Sequence, residues 1–222
     1  ESLKGSEYYG DMLPVELVDY TPPIAVAIII DISGSMSVSI DTARQGAIQC
    51  LNALSSRDYV GVLTLSDSYA TPFPINSMTD MGAIIQAIYD IPKSGGGTNY
   101  ASAFQQAGAQ LYALRNSVQK KHIIVISDAQ PGDAPYADGG ETPGYLDVMI
   151  DNYLNRNITC SFVSIGNSGG DDATEIKNAF TKYEGMGSFH PVSTNEINNL
   201  HRLLSEDLSA PEIREYDAEP FT

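Results

Sequence analysis

The residues with the clearest chemical potential stand together in the segment 31–36, which reads DISGSM. Asp31 offers a carboxylate, and Ser33 and Ser35 offer two hydroxyls on the same short loop. A hard divalent cation such as Mg²⁺ prefers about six oxygen ligands at about 2.1 Å and usually keeps some of its waters. The segment therefore predicts a metal site that is completed by oxygen ligands from elsewhere in the chain.

Two apolar runs indicate the strands that position these ligands. Ile24–Asp31 reads IAVAIIID and the segment 122–128 reads HIIVISD, so each run ends in an aspartate. Continuous apolar runs of this length are typical of strands that are buried on both faces. In open α/β sheets ligands bind outside the carboxyl ends of the strands, where the strand order reverses. We therefore expect Asp31 and Asp128 to lie at one edge of a sheet.

The rest of the chain alternates strands with amphipathic helices. Further strands are predicted at 59–65, 70–75, 158–165 and 188–192, and helices at 37–55, 79–91, 104–114, 146–153, 172–183 and 193–208. Two prolines confine the 70–75 strand to a sheet edge, because proline lacks the N–H that a central strand needs. Thr79 is a predicted N-cap, and Ser193 with Glu196 is a predicted capping box.

This alternation predicts an α/β fold with a doubly wound, mostly parallel six-stranded sheet, helices on both faces and one antiparallel edge strand. The domain is expected to span 23–208, between an N-terminal extension at 1–22 and an acidic C-terminal linker at 209–222. Because the chain of 222 residues begins with Glu1 rather than Met, we expect it to be an excised fragment. The domain is also expected to be monomeric. No apolar run reaches the length of a membrane span, so direct membrane insertion is not expected.

The charge balance argues against two classes of partner. The chain has 28 acidic and 12 basic residues, a formal net charge of −16. Nucleic acids and anionic membranes are bound through clustered Lys and Arg, so neither is an expected partner. The two cysteines, Cys50 and Cys160, have no metal-binding spacing and fall in apolar patterns. They are expected to be small buried hydrophobic residues.

The segment DISGSM resembles the DxSxS motif of the metal-ion-dependent adhesion site in von Willebrand factor A domains and integrin inserted domains. In that family a threonine in a glycine-rich loop and an aspartate after the fourth major strand complete the site. Thr98 in GGGTNY and Asp128 in ISDAQPGD stand at the matching positions. The resemblance covers 23–208 and implies a Rossmann-like fold and a site for Mg²⁺, or for Mn²⁺ or Ca²⁺. The implied ligands are Asp31, Ser33, Ser35, Thr98 and Asp128. The three hydroxyl oxygens would bind the ion directly or in one of two states of the site, and the carboxylates would act largely through bound water.

The resemblance also implies a function. A domain of this family would be a protein-binding module rather than an enzyme, and a Glu or Asp carboxylate of the partner would complete the coordination of the metal. The alternative is a metal-dependent phosphatase of the haloacid dehalogenase type, which also has an aspartate after its first strand. That family needs a second carboxylate two residues further on, where this chain has Ser33.

Other catalytic signatures are missing from the sequence. It contains no HExxH motif and no phosphate-binding GxxxxGK[ST] loop. The three histidines are scattered along the chain at His122, His190 and His201, and none stands near a plausible nucleophile. We therefore predict no catalytic residue.

Each predicted ligand could also have a purely structural role that involves no metal. Taken singly, Ser33 and Ser35 can be helix N-caps, Asp31 and Asp128 turn carboxylates, and Thr98 a loop hydroxyl. Their joint occurrence favours the metal site. Four further acids are expected near the same edge, mainly as solvated loop charges, with a second cation or a rim for partner choice as the alternative. These acids are Asp67, Asp133, Asp138 and Glu141.

A narrower resemblance concerns the setting of the domain. The segments LPV at 13–15, PGD at 131–133, DDA at 171–173 and EPFT at 219–222 look like those of large bacterial membrane proteins. Those proteins combine this domain with a glutamine-amidotransferase-like domain. The resemblance implies a soluble part of a membrane-anchored bacterial chain and leaves the side of the membrane open.

Overall fold

The structure is a computed structural model that describes residues 22–93, 95–137, 142–166 and 171–209. Its strands are β1 Ile24–Asp31, β2 Tyr59–Leu65, β3 Tyr69–Ser77, β4 Lys120–Ser127, β5 Ile158–Ile165 and β6 Gly187–Val192. Its α-helices are α1 Ile40–Leu51, α2 Met81–Tyr89, α3 Tyr100–Ala113, α4 Tyr145–Arg156, α5 Asp171–Lys182 and α6 Leu200–Leu208. Short 3-10 helices span Gly34–Val38 and Ile197–Asn199.

The six strands form one sheet in the order β3-β2-β1-β4-β5-β6. All neighbours are parallel except β3, which pairs antiparallel with β2 at the edge, as its prolines predict. The predicted fold class is confirmed. The strand order reverses between β1 and β4, which makes the carboxyl ends of these two strands the expected binding position. Since Ile30 pairs with Ile126, Asp31 comes beside Ser127 at that position.

The core has two apolar layers, one on each face of the sheet. In β1, Ala25, Ala27 and Ile29 belong to the layer that contains buried side chains of α3, α4 and α5. Alternate residues such as Ile28 and Ile30 belong to the layer with α1, α2 and α6. Burial on both faces explains why β1 is a continuous apolar run. The two cysteines are buried and free, as predicted.

Several helix boundaries differ from those predicted, and three of them have a clear local cause. The predicted helix at 37–55 is a 3-10 turn that buries Met36, followed by the shorter α1. The N-cap of α2 is Asp80, whose carboxylate accepts the backbone N–H of Ala83 at 2.9 Å, and Thr79 precedes it. Glu196 does bind the backbone N–H of Ser193 at 2.9 Å, but a 3-10 turn follows before α6 begins. These ends depend on local turn geometry, which the apolar spacing does not specify.

The predicted terminal segments lie almost wholly outside the described residues. The N-terminal extension at 1–22 overlaps them only at Pro22, and the C-terminal linker at 209–222 only at Ser209. Among the described residues, no helix is both long enough and apolar enough to span a membrane.

Candidate metal centre

The end of β1 and the loop after it present the first three predicted ligands. Asp31 is fully buried, and its Oδ1 accepts the backbone N–H of Ser33 at 2.8 Å. The hydroxyl oxygens of Ser33 and Ser35 are 3.1 Å apart, with Ser33 buried and Ser35 exposed. The carboxylate therefore shapes the loop that carries both hydroxyls.

Backbone hydrogen bonds join three loops at this edge of the sheet. The N–H of Gly34 donates to the carbonyl oxygen of Gly96 at 3.2 Å, which links the first loop to the glycine-rich loop. The N–H of Gly132 donates to the carbonyl oxygen of Thr98 at 2.7 Å, which links that loop to the one after β4. Thr98 and Asp128 are both buried. The structure thus brings together the three segments that carry the five predicted ligands.

The candidate site contains two neighbouring carboxylates, and few hydrogen-bond donors stabilise their negative charges. Burial raises the pKa of Asp31, and the charge of Asp128 adds to this effect. Hydrogen bonds from Ser127 and Ser33 act in the opposite direction. The Oδ1 atom of Asp128 is buried and has no hydrogen-bond partner among the described residues. A buried carboxylate oxygen without a donor is costly, so this atom is a ready ligand for a cation.

The donor set is suited to a hard ion. Across the described ranges, no three His, Cys, Asp or Glu side chains converge as a metal-binding group. The cluster instead combines two carboxylates with three hydroxyls, and oxygen ligands of this kind fit Mg²⁺, Mn²⁺ or Ca²⁺ rather than ions that favour sulfur or imidazole.

Two of the four further acids have a structural role that the sequence interpretation missed. Asp67 is exposed, but its Oδ1 accepts the N–H of Gly97 at 2.7 Å. The two carboxylate oxygens of Asp133 accept the N–H groups of Tyr100 and Ala101 at 3.1 and 2.7 Å. These bonds hold the segments on both sides of Thr98.

Asp133 is therefore more than a solvated loop charge. Burial raises its pKa, and the backbone N–H donors of α3 oppose that shift. The other two acids, Asp138 and Glu141, lie outside the described residues.

Sequence reasoning also missed Ser127 and Tyr100. The hydroxyl of Ser127 donates to Oδ2 of Asp31 at 2.6 Å, and the hydroxyl oxygen of Tyr100 lies 2.5 Å from that of Ser127. Both side chains are fully buried. The only signal in the sequence was the position of Ser127 directly before Asp128, and its importance depends on the pairing of β1 with β4.

A second polar cluster lies between the sheet and α6, and it brings together two of the histidines that are scattered along the sequence, His122 and His190. Nε2 of His190 lies 2.6 Å from Oδ2 of Asp207. The hydroxyl of Ser161 donates to the same carboxylate oxygen at 2.5 Å and lies 2.9 Å from Nε2 of His122. Since Ser161 is completely buried, a substrate cannot reach it, and the cluster serves to attach the last turn of α6 to the sheet.

Comparison with known families identifies the domain. Residues 26–130 match the family model described as von Willebrand factor type A domain. The fold of the chain is that of a von Willebrand factor type A domain. The matched segment includes all five candidate ligands, from Asp31 to Asp128. A comparison with curated protein sequences finds no match.

Solved structures share this von Willebrand factor type A fold at low sequence identity. A von Willebrand factor type A protein from Catenulispora acidiphila has a TM-score of 0.64 and 18% identity, with 83% of this chain and 42% of that chain covered. The pilus adhesin SpaC from Lactobacillus rhamnosus GG, in its open conformation, has a TM-score of 0.65 and 16% identity, with 84% and 30% covered.

A third structure matches over nearly its whole length. It is an aerotolerance-related membrane protein from Bacteroides fragilis NCTC 9343 with multiple mutations to serines, with a TM-score of 0.54 and 15% identity. The match covers 82% of this chain and 97% of that one. The present chain thus spans less than half of the first two proteins and nearly all of the third.

Proposed function

We propose that this domain is a binding module that holds one Mg²⁺, or Mn²⁺ or Ca²⁺, and through it engages a Glu or Asp carboxylate of a protein partner. The observation that carries the proposal is the meeting of three loops around two buried carboxylates, one of which, Asp128, has an unpaired buried oxygen. Asp31, Ser33, Ser35, Thr98 and Asp128 would hold the ion.

The charges of these residues explain why an acidic partner is favoured. Ser33, Ser35 and Thr98 are neutral, and Asp31 already accepts two protein hydrogen bonds. If both aspartates act through bound water, only neutral hydroxyls of the protein contact the ion directly, so the ion keeps its attraction for a further anionic oxygen. The chain itself carries a net charge of −16, which repels an acidic partner when no cation is bound. Binding should therefore depend on the metal.

Two similar structures support this proposal, one for the binding function and one for an association with a membrane. SpaC is a pilus adhesin, which favours binding over catalysis as the role of a domain with this fold. The Bacteroides protein is a membrane protein, which supports our proposal that this domain is the soluble part of a membrane-anchored bacterial chain. We propose no enzymatic activity, since the phosphatase alternative needs a carboxylate where the chain has Ser33.

Thermal unfolding tests whether the site binds metal. An ion that binds only the folded protein stabilises it by about 2.7 kcal/mol at a concentration a hundredfold above its Kd. For a chain of this length we expect Mg²⁺ to raise the Tm by about 5 to 11 °C relative to EDTA. Asp31→Ala should keep its circular dichroism spectrum and lose this shift. The control Asp151→Ala, which removes a carboxylate from α4, should keep the shift.

Equal melting temperatures in Mg²⁺ and EDTA for the unmutated protein would contradict the metal site. Partner binding is tested separately by capture from a lysate of the source organism, with Mg²⁺, with EDTA and with Asp31→Ala. We expect the specific partners to appear only with Mg²⁺ and the intact site. Changing the key partner carboxylate to an amide should abolish binding, and capture that persists in EDTA would contradict the mechanism.

A further inference from the structure

One buried hydroxyl connects the ends of the two strands at which the candidate carboxylates stand. The hydroxyl of Ser127, the last residue of β4, donates to Oδ2 of Asp31 at 2.6 Å. Its oxygen accepts the backbone N–H of Ala129 at 3.1 Å and lies 2.5 Å from the hydroxyl oxygen of Tyr100. Ser127 thus contacts the last residue of β1, the turn after β4 and the first residue of α3.

The direction of each hydrogen bond follows from the number of hydrogens available. A serine hydroxyl has one hydrogen and two acceptor positions. An ionised carboxylate can only accept, so the hydrogen of Ser127 is committed to Asp31. Tyr100 must then donate to Ser127, and its donation and that of Ala129 fill the two acceptor positions. All bonding capacity of this hydroxyl is used within the protein.

The turn held by Ser127 has an unusual backbone. Ala129 has a φ of 59°, a left-handed conformation that residues other than glycine rarely adopt. Such a conformation persists only when surrounding contacts hold it. The bond from the Ala129 N–H to Ser127 is one of these contacts, and Asp128 lies between the two bonded residues. The same hydroxyl therefore orients Asp31 directly and Asp128 through its turn.

We propose that Ser127, oriented by Tyr100, is a positioning residue that fixes Asp31 and Asp128 relative to each other for cation binding. Both hydroxyls are neutral, so they orient the acids without supplying a positive charge that would compete with the ion. The part of this inference that concerns cations rests on the proposed function. The geometric part can be tested in the metal-free protein.

The test compares Ser127→Ala and Tyr100→Phe with matched controls elsewhere in the fold. Ser161→Ala removes another fully buried strand hydroxyl, and Tyr153→Phe removes a tyrosine hydroxyl that donates to the carbonyl oxygen of Glu184. By calorimetry, Ser127→Ala should weaken Mg²⁺ binding by about 10- to 100-fold, as removal of a group that orients a metal ligand does. Tyr100→Phe should have a smaller effect.

Two further readouts distinguish positioning from general stability. The double variant should bind Mg²⁺ no more weakly than Ser127→Ala alone, because Tyr100 acts through Ser127. In EDTA, hydrogen exchange of the Ala129 amide should accelerate by about two- to tenfold in Ser127→Ala and remain unchanged in Ser161→Ala. Tyr100→Phe, which keeps the ring, serves as the main variant if Ser127→Ala does not fold.

Three results would overturn the inference. They are an unchanged Mg²⁺ affinity in Ser127→Ala and Tyr100→Phe, an equal loss in the two controls, or unchanged exchange at Ala129. If the unmutated protein binds no Mg²⁺, the proposed function is wrong. The exchange experiment then decides by itself whether Ser127 holds the turn at Asp128.

Discussion

Acidification should destabilise this domain through His122, a buried histidine in β4. Burial lowers the pKa of His122 to about 3, with a smaller contribution from the positive charge of Lys120 and an opposing one from Asp207. The surrounding bonds also favour the neutral ring. Because Ser161 donates its hydrogen to Asp207, it can only accept from Nε2 of His122. Nδ1 is then left to accept from the hydroxyl of Thr159 at 2.7 Å.

The size of the effect follows from proton binding by the folded and unfolded chains. The ordinary pKa of histidine is 6.5, so between that pH and about 3 the unfolded chain binds a proton that the folded protein does not. Stability therefore rises with pH in this range and falls on acidification. From pH 7.5 to pH 5 the loss from His122 is about 2 kcal/mol. At pH 5 the imidazole ring of His122 is still neutral in the folded protein. The size of the stability loss therefore depends mainly on the pKa of His122 in the unfolded chain.

Urea unfolding in EDTA at pH 7.5 and pH 5 measures this loss. Between these pH values, the unmutated protein should lose about 2 kcal/mol more unfolding free energy than His122→Gln. The raised pKa of Asp31 acts in the opposite direction, but it is common to both proteins and cancels in the comparison. The control His201→Gln removes a histidine outside this cluster and should retain the full acid sensitivity. If His122→Gln lost as much stability as the unmutated protein, the assignment of His122 would be refuted.

Two further substitutions test the backbone of the fold. Gly187 has a φ of 157°, and a Cβ there would lie 1.6 Å from the carbonyl oxygen of Cys160, so Gly187→Ala should cost more than about 3 kcal/mol in urea unfolding. A loss below about 1 kcal/mol would show that β6 can shift. Asp80→Ala should cost about 1 kcal/mol through loss of the α2 cap, whereas Thr79→Ala should cost less than about 0.5 kcal/mol. The reverse order would assign the cap to Thr79.

Much of the fold and the composition of the candidate site could be predicted because the signals are local. Burial on both faces makes β1 a continuous apolar run, whatever its neighbours in the sheet are. The prolines at Pro72 and Pro74 mark an edge strand because they lack an N–H. The spacing of Asp31, Ser33 and Ser35 is likewise contained in a single loop, and their metal-binding role remains a prediction.

The tertiary structure alone decided which side chains support the site and the sheet. Ser127 is 96 positions from Asp31 along the chain, and Asp207 is 46 from Ser161, yet both pairs are hydrogen-bonded. Such contacts depend on strand register and on how helices pack across the sheet, which no local pattern encodes. A serine or a histidine within an apolar run looks the same in the sequence whether its side chain only fills space in the core or forms hydrogen bonds with distant residues. The partner that distinguishes the two is brought near only when the chain folds.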